Sequence, residues 1–457
     1  MLNTLTPELR DSFTYLCDEF RKYNYISADD WDKYEVKRGL RNANGTGVLA
    51  GLTSICDVVG YELVDNKRVP CDGKLIYRGI DVSDIINAGK AEDRYVFEEV
   101  VWLLLFGSLP TPGQMKLLRK VMADMRELPD GFAEDMIMKA PSPNVMNKMA
   151  RSVLALYSYD QSAEDMSLEN ALFQAVKLSS CAPTIMVDAY QVKRRVYDKK
   201  SMYFHQSKPE LSLAQNILRI NRPDKKFTEP EARLLDMCLV LHADHGGGNN
   251  STFTTRVVTS SGTDTYSAIS AAIGSLKGPR HGGANIKVME MLDFIKAGVR
   301  DYSDDEEISD FLGKILDRQA GDGSGLIFGI GHPVYTKSDP RATILRQNAR
   351  ELAEQTGLGD DYKLLNAVER LAPGVMLDKR GVANSCANVD LYSGLVYRTM
   401  KIPVDLYTPL FAVARMAGWC AHRVEEMMFG NRIIRPAYKY LGVPREYTPF
   451  GERKIEK

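Results

Sequence analysis

Apolar residues recur three and four positions apart over most of the chain, the spacing of helices that bury one face. Thr111-Pro112 supplies a cap and a first-turn proline, after which Leu117, Leu118, Val121, Met122 and Met125 form one stripe. Acidic residues 304–307 open a second helix, favoured by the helix dipole, with Ile308, Phe311, Leu312 and Ile315 facing inward. Thr408-Pro409 opens a third, running through Ala414, Ala417 and Ala421 to Gly430. Period-2 alternation is weak except near Ser54–Tyr77, where Gly60, Asp65-Asn66 and Asp72-Gly73 punctuate short runs. The pattern predicts a mainly α protein with a small N-terminal β-hairpin region.

Residues 1–40 read as a helical extension whose polar stretch Ser27–Lys37 leads into a glycine-bearing loop, Asn44–Gly51. Further breaks fall at Gly278–Gly283, Gly321–Gly331 and Lys401-Ile402-Pro403, and there are no internal repeats. At 457 residues the chain can bury a large core and is expected to form more than one domain. Fifty-nine Lys+Arg against 60 Asp+Glu leave a net charge of −1, which argues against a generic nucleic-acid binder. The longest apolar run, Val100–Phe106, is far short of the roughly 20 residues that span a bilayer, so no membrane partner is expected. The start, MLNTLTPELRDSF, lacks a signal pattern, and seven scattered cysteines form no CxxC pair; a cytoplasmic protein with reduced thiols is expected. No glycine run carries GK[ST], and Gly45-Thr46-Gly47 is spaced wrongly for a dinucleotide loop, so nucleotide chemistry has little local support.

Histidine is scarce, yet four of the six stand in small-residue or polar settings: LHADHGGGN with His242 and His245, GPRHGGAN with His281, and GIGHP with His332. Small neighbours let a ligand approach closely. His242 and His245 would share a face if both were helical, which raises a metal pair, but no cysteine or third histidine completes a familiar ligand spacing. His281 precedes a helix from about Ala284 to Ile295, whose positive end disfavours an imidazolium; it reads either as a neutral N–H donor or as a plain cap contact. Asp339-Pro340 can cap and open a helix from which Arg341 projects at an anion-attracting end, unless it is a surface arginine. Arg415 interrupts an otherwise apolar helix, where its charge is costly unless an anion pairs with it. Arg435 sits as awkwardly between Ile434 and Pro436. Asp390, in NVDLYSG, is a plain N-cap or, if it faces a pocket, the natural carboxylate base. Three arginines with neutral donors suggest a small polycarboxylate substrate.

Taken in order, LHADHGGGN, GPRHGGAN, GIGHPVYTKSDPR, NVDLYSG and PLFAVARMAGW followed by the Arg435 segment closely resemble the citrate synthase family, over roughly residues 45 to 440. The more diffuse FEEVVWLLLFGSLP and KLIYRGIDV also fit. The resemblance implies a two-domain, almost wholly helical homodimer that closes over acetyl-CoA and oxaloacetate, with no permanently bound cofactor and no metal. It divides the chain into an extension (1–44), a large domain (45–282), a small domain (283–401) and a return to the large domain (402–457). It makes Asp390 the base for the acetyl methyl group, His281 the donor to the thioester oxygen and His332 the polariser of the oxaloacetate ketone. Arg341 and Arg415 would clamp the carboxylates with His245 and Asn249 nearby, and Arg435 would reach in from the partner subunit. CoA would lie against Leu326, Gly329 and Gly331, with Lys337 standing beside Thr336, the place where many relatives carry a basic residue.

Two other readings compete. A 2-methylcitrate synthase would use propionyl-CoA with the same catalytic residues, and one methylene is worth only about 1–3 kcal/mol of discrimination. An inactive acyl-CoA-binding helical dimer would not need the intact Asp390, His281 and His332. The small-residue helix Tyr266–Gly278 fits a dimer contact and an intrachain core equally well.

Overall fold

The computed structural model describes residues 6–453, so the outermost residues of the expected extension and C-terminal return lie outside the described residues. The mainly α expectation holds. Pro112–Asp124 is helical with Thr111 and Gln114 forming a reciprocal capping box. Its buried side is Met115, Leu118 and Met122, whereas Leu117 points outward at 59% exposure. Asp304 caps Asp305–Leu316 by accepting from the backbone N–H groups of Glu306 and Glu307, and Ile308, Leu312 and Ile315 are buried. No helix among the described residues is long and apolar enough to cross a membrane.

Two helices are buried on nearly all sides and organise the rest. Leu168–Val196, 29 residues and therefore about 44 Å long, packs along Tyr407–Phe429. The latter also touches Phe97–Phe106, Glu229–His242, Asn250–Thr259 and Thr265–Lys277. The helices Ala284–Gly298, Asp305–Leu316, Pro340–Gln355, Gly359–Arg380 and Asp390–Thr399 pack mainly on one another, and two of them, Pro340–Gln355 and Asp390–Thr399, also meet Glu229–His242. Residues Ala50–Ile434 form one compact unit. The segment ending at Leu49 and the one starting at Arg435 form another, in which Thr6 caps the helix Pro7–Tyr23 and the Lys439 ammonium lies 5.3 Å from the centre of the Tyr34 ring.

The expected hairpin is β1 (Cys56–Val64) paired antiparallel with β2 (Lys67–Tyr77), and the short β3 (Ile80–Asp81) adds to β2. Asp65 and Asn66 both take positive φ (50° and 59°), the backbone of a tight hairpin turn. The strands run on through Gly60 and Gly73, but the pairing register shifts there, from Val59 opposite Lys74 to Tyr61 opposite Pro70, so both glycines do punctuate the ladder. They make room for the segment after His332: a Cβ at Gly60 would lie 2.6 Å from the Val334 carbonyl oxygen, and one at Gly73 2.1 Å from that of Ser338. The Gly73 N–H donates to Ser338 Oγ (3.0 Å), and the Tyr335 hydroxyl donates to the Lys74 carbonyl (3.3 Å). Gly73→Ala is therefore expected to destabilise the fold by about 1–3 kcal/mol, read as a lower urea midpoint with an unchanged m-value.

Candidate active site

The helix Glu229–His242 ends at His242, and the chain turns away through Asp244 and His245 into glycines, Gly246 at φ 79°. His242 and His245 therefore do not share a helix face, which removes the geometry behind a metal pair. Among the described residues no group of three or more His, Cys, Asp or Glu side chains is arranged to hold a metal ion.

Arg415 lies on the helix Tyr407–Phe429 and is completely buried. Its Nε donates to the His242 carbonyl (2.7 Å), and its guanidinium carbon sits 4.8 Å from the centre of the Phe411 ring, on which His242 also stacks. Nη1 and Nη2 have no hydrogen-bond partner. Burial lowers its pKa, against the attraction of Asp244. Two open donors on a buried planar cation form a receptor for a carboxylate.

Arg341 is different. Asp339 accepts from the Arg341 N–H and Nε (both 3.0 Å) through Oδ1 and from Nη2 (2.7 Å) through Oδ2, so one carboxylate both caps the helix Pro340–Gln355 and pairs the guanidinium. Burial opposes the charge of Arg341, but Asp339 outweighs it and holds the arginine firmly protonated. Arg341 comes to the site already neutralised; Arg415 does not.

Main-chain pairing joins the segments that carry His332 and Asp390. Ile330 bridges to Ala387, the Gly331 N–H donates to the Cys386 carbonyl (2.7 Å), and the Asn388 N–H donates to that of Gly329 (2.8 Å). Gly329 (φ 82°) and Gly331 (φ 97°) occupy backbone that favours glycine. The N–H groups of Val334 and Tyr335 both donate to His332 Nδ1 (3.1 Å each), which places the ring proton on Nε2. The His245 ring stands edge-on 5.1 Å from that of His332. Burial, then Arg341, His332, Arg415 and His281, hold His245 well below the ordinary histidine range.

His281 is neutral for another reason than the one read from sequence. The following helix, Ala284–Gly298, has Gly283 at its cap, whereas burial and then the charge of Arg415 push the His281 pKa down to about 4. Its Nε2 accepts from the Ser251 N–H (3.3 Å), which leaves the proton on Nδ1. The Ser251 hydroxyl lies 2.9 Å from the same nitrogen, accepts from the Trp419 indole (3.1 Å) and is 2.9 Å from Asn249 Oδ1. The cap position falls on Val389 rather than Asp390, and Asn388 Oδ1 just ahead of it accepts from the Asp390 N–H (3.0 Å). Asp390 is then the first helical residue. Burial raises its pKa to about 6; Arg341 and Arg415 pull it down and Asp339 pushes it up.

His245, His281, His332, Arg341, Asp390 and Arg415 thus act on one another electrostatically, and Asn249 joins through Ser251. Leu326 is 56% exposed beside Phe328 and Phe294 in an apolar hollow before the two glycines. The Lys337 ammonium turns to Asp72 of the hairpin (3.0 Å). Arg435 belongs to the terminal unit and is exposed there. Ser251 and Asp339 were not singled out from sequence; Asp339 was read only as a cap, although an acid two residues before a buried arginine was a usable signal.

Because the folded pKa of Asp390 lies above its unfolded value near 3.8, its protonated form favours the fold, and that contribution fades as pH rises through about 6. Asp390→Asn is expected to stabilise the protein at pH 8 by on the order of 2–3 kcal/mol and to change nothing at pH 3, measured by denaturant unfolding.

Comparison with known proteins supplies a family. The family model described as "Citrate synthase, C-terminal domain" matches residues 42–437. A citrate synthase of Haloferax volcanii is 35% identical over 427 residues, covering 92% of this chain and 99% of the relative. A protein named 2-methylcitrate synthase 1, from Corynebacterium glutamicum, is 31% identical over 421 residues, with the same 92% and 99% coverage. Among solved structures, citrate synthase of Thermoplasma acidophilum, in a ternary complex with carboxymethyl coenzyme A and oxaloacetate, is similar with a TM-score of 0.75 and 26% identity, covering 92% of this chain and 99% of that one.

Proposed function

This chain is an enzyme of the citrate synthase family, and on that premise we propose that it condenses acetyl-CoA with oxaloacetate and hydrolyses the resulting thioester to citrate and CoA. The observation that carries the reading is one buried ionisable carboxylate, Asp390, in the field of Arg341 and of Arg415 with its open donors, the same two arginines that act with His332 and His281 on His245.

Asp390 takes a proton from the acetyl methyl group. That carbon acid is weak, so the electron pair moving onto the thioester oxygen needs a fixed donor, and His281 Nδ1–H supplies one. A single such donor in a dry site is worth about 3–4 kcal/mol. The enol carbon then attacks the ketone carbon of oxaloacetate, whose oxygen is polarised by His332 Nε2–H and becomes the new hydroxyl. Arg415, with the Asp339-paired Arg341, His245 and Asn249, binds the oxaloacetate carboxylates. Leu326, Gly329 and Gly331 receive the CoA end. Lys337 reaches a CoA phosphate only by leaving Asp72. Closure of the 283–401 helices over the rest would exclude water until the carbon–carbon bond has formed. A cytoplasmic homodimer in which each chain lends Arg435 to its partner completes the reading.

The similarity to a 2-methylcitrate synthase keeps propionyl-CoA as the second reading. Thiol release in the presence of oxaloacetate decides among the three possibilities. Acetyl-CoA is expected to give the higher kcat/KM, and this is expected to fall about tenfold per pH unit below an apparent pKa near 6, as Asp390 protonates. A higher kcat/KM for propionyl-CoA reverses the substrate assignment, and no release from folded protein leaves only a binding role.

A further inference from the structure

Two buried groups of opposite charge lie close to one another in this site and do not pair. Arg415 Nη1 and Nη2 lack hydrogen-bond partners, although Asp244, which also interacts with the Cys56 thiol, is the foremost charge favouring ionised Arg415. Both residues are completely buried. In a dry interior such neighbours attract strongly, so something must hold them apart.

The restraint is visible on the far side of Asp244. Its Oδ2 is 3.0 Å from His422 Nε2 and accepts from the Gly246 N–H (3.2 Å). Arg256 Nε donates to His422 Nδ1 (3.1 Å); an arginine can only donate, so the His422 proton sits on Nε2 and points at Asp244. Arg256 is itself fixed by Glu425 and by Glu426 (2.9 Å). Gly418, one turn beyond Arg415, lets the helix backbone press against the other oxygen: a Cβ there would stand 2.6 Å from Asp244 Oδ1.

We propose that His422 is a positioning residue that holds the Asp244 carboxylate away from Arg415, leaving that guanidinium for the carboxylate of the substrate. Asp244 then stabilises the buried cation without occupying its donors. His422 touches no reacting atom; it acts through Asp244 on the affinity for one substrate only. This inference rests on the oxaloacetate reading above and goes beyond it by naming what keeps the receptor open.

The test compares oxaloacetate affinity by calorimetry, steady-state kinetics and thermal unfolding for four proteins. In His422→Leu, Asp244 loses its tether and competes for Arg415, so the Kd and KM for oxaloacetate are expected to rise about 10- to 100-fold, with the KM for acetyl-CoA within about twofold. His422→Gln, which keeps a side-chain N–H donor, is expected to stay near wild type. Asp244→Asn combined with His422→Leu removes the competing charge and is expected to recover most of the affinity lost in His422→Leu. If His422→Leu does not fold, His422→Asn, too short to hold Asp244, takes its place with the same expected rise. Unchanged oxaloacetate affinity in the folded single variant, or a double variant as weak as the single one, overturns the inference alone. Wild-type protein that binds no oxaloacetate overturns the functional reading and this inference with it.

Discussion

A guanidinium sealed inside a helix bundle with two of its nitrogens unpaired is the constraint around which this site is built. Removing such a charge from water costs several kcal/mol unless partners replace the lost hydration. Arg415 has one backbone carbonyl, one aromatic face and the field of Asp244, with lesser help from Tyr77 and Cys56. It stays in place because its helix is packed along Leu168–Val196 and against several other helices. The core thus confers the rigidity, and a dicarboxylate ligand would complete the hydrogen bonding that the fold leaves open.

Around that cation the chain avoids further positive charge. His281 and His332 each accept backbone N–H bonds on one ring nitrogen, and this main-chain geometry sets the tautomer, while burial and Arg415 keep His281 neutral. A neutral imidazole can still donate one proton toward a developing oxyanion. It does so without adding to the cost of burying Arg415 and the Arg341–Asp339 pair. Asp390 gains from the same economy: burial lifts its pKa enough to make it a useful base near neutrality, while the two arginines keep it ionisable.

Much of this was legible in the sequence because the chemistry sits on local punctuation. Gly329 and Gly331 before His332, Asp339-Pro340 before Arg341 and a lone arginine in an apolar helix are short-range signals, and each marks a real feature of the backbone. Asp390 was equally readable as a cap, and only the structure moves that position to Val389 and makes Asp390 the first helical residue. The source of the neutral His281 was misread, since a helix dipole is visible in sequence and burial is not. His242 and His245 looked like a helical pair because nothing local says that the helix stops between them. Least legible were long-range partners: Ser251 behind His281, and His422 behind Asp244, join residues 30 and 178 positions apart. Gly60 and Gly73 read as punctuation and do mark the shift in register, whereas the passing 334–338 segment that they make room for was not legible.

The central role of Arg415 is open to one direct measurement: calorimetric titration of oxaloacetate into Arg415→Leu and wild-type protein, with thermal unfolding of both ligand-free forms. Loss of a buried charged partner should weaken binding at least about 100-fold. Replacing an unpaired buried cation by an apolar side chain should leave the free protein as stable as wild type or more so. Wild-type affinity in the leucine variant would contradict the assignment of this arginine as the carboxylate receptor.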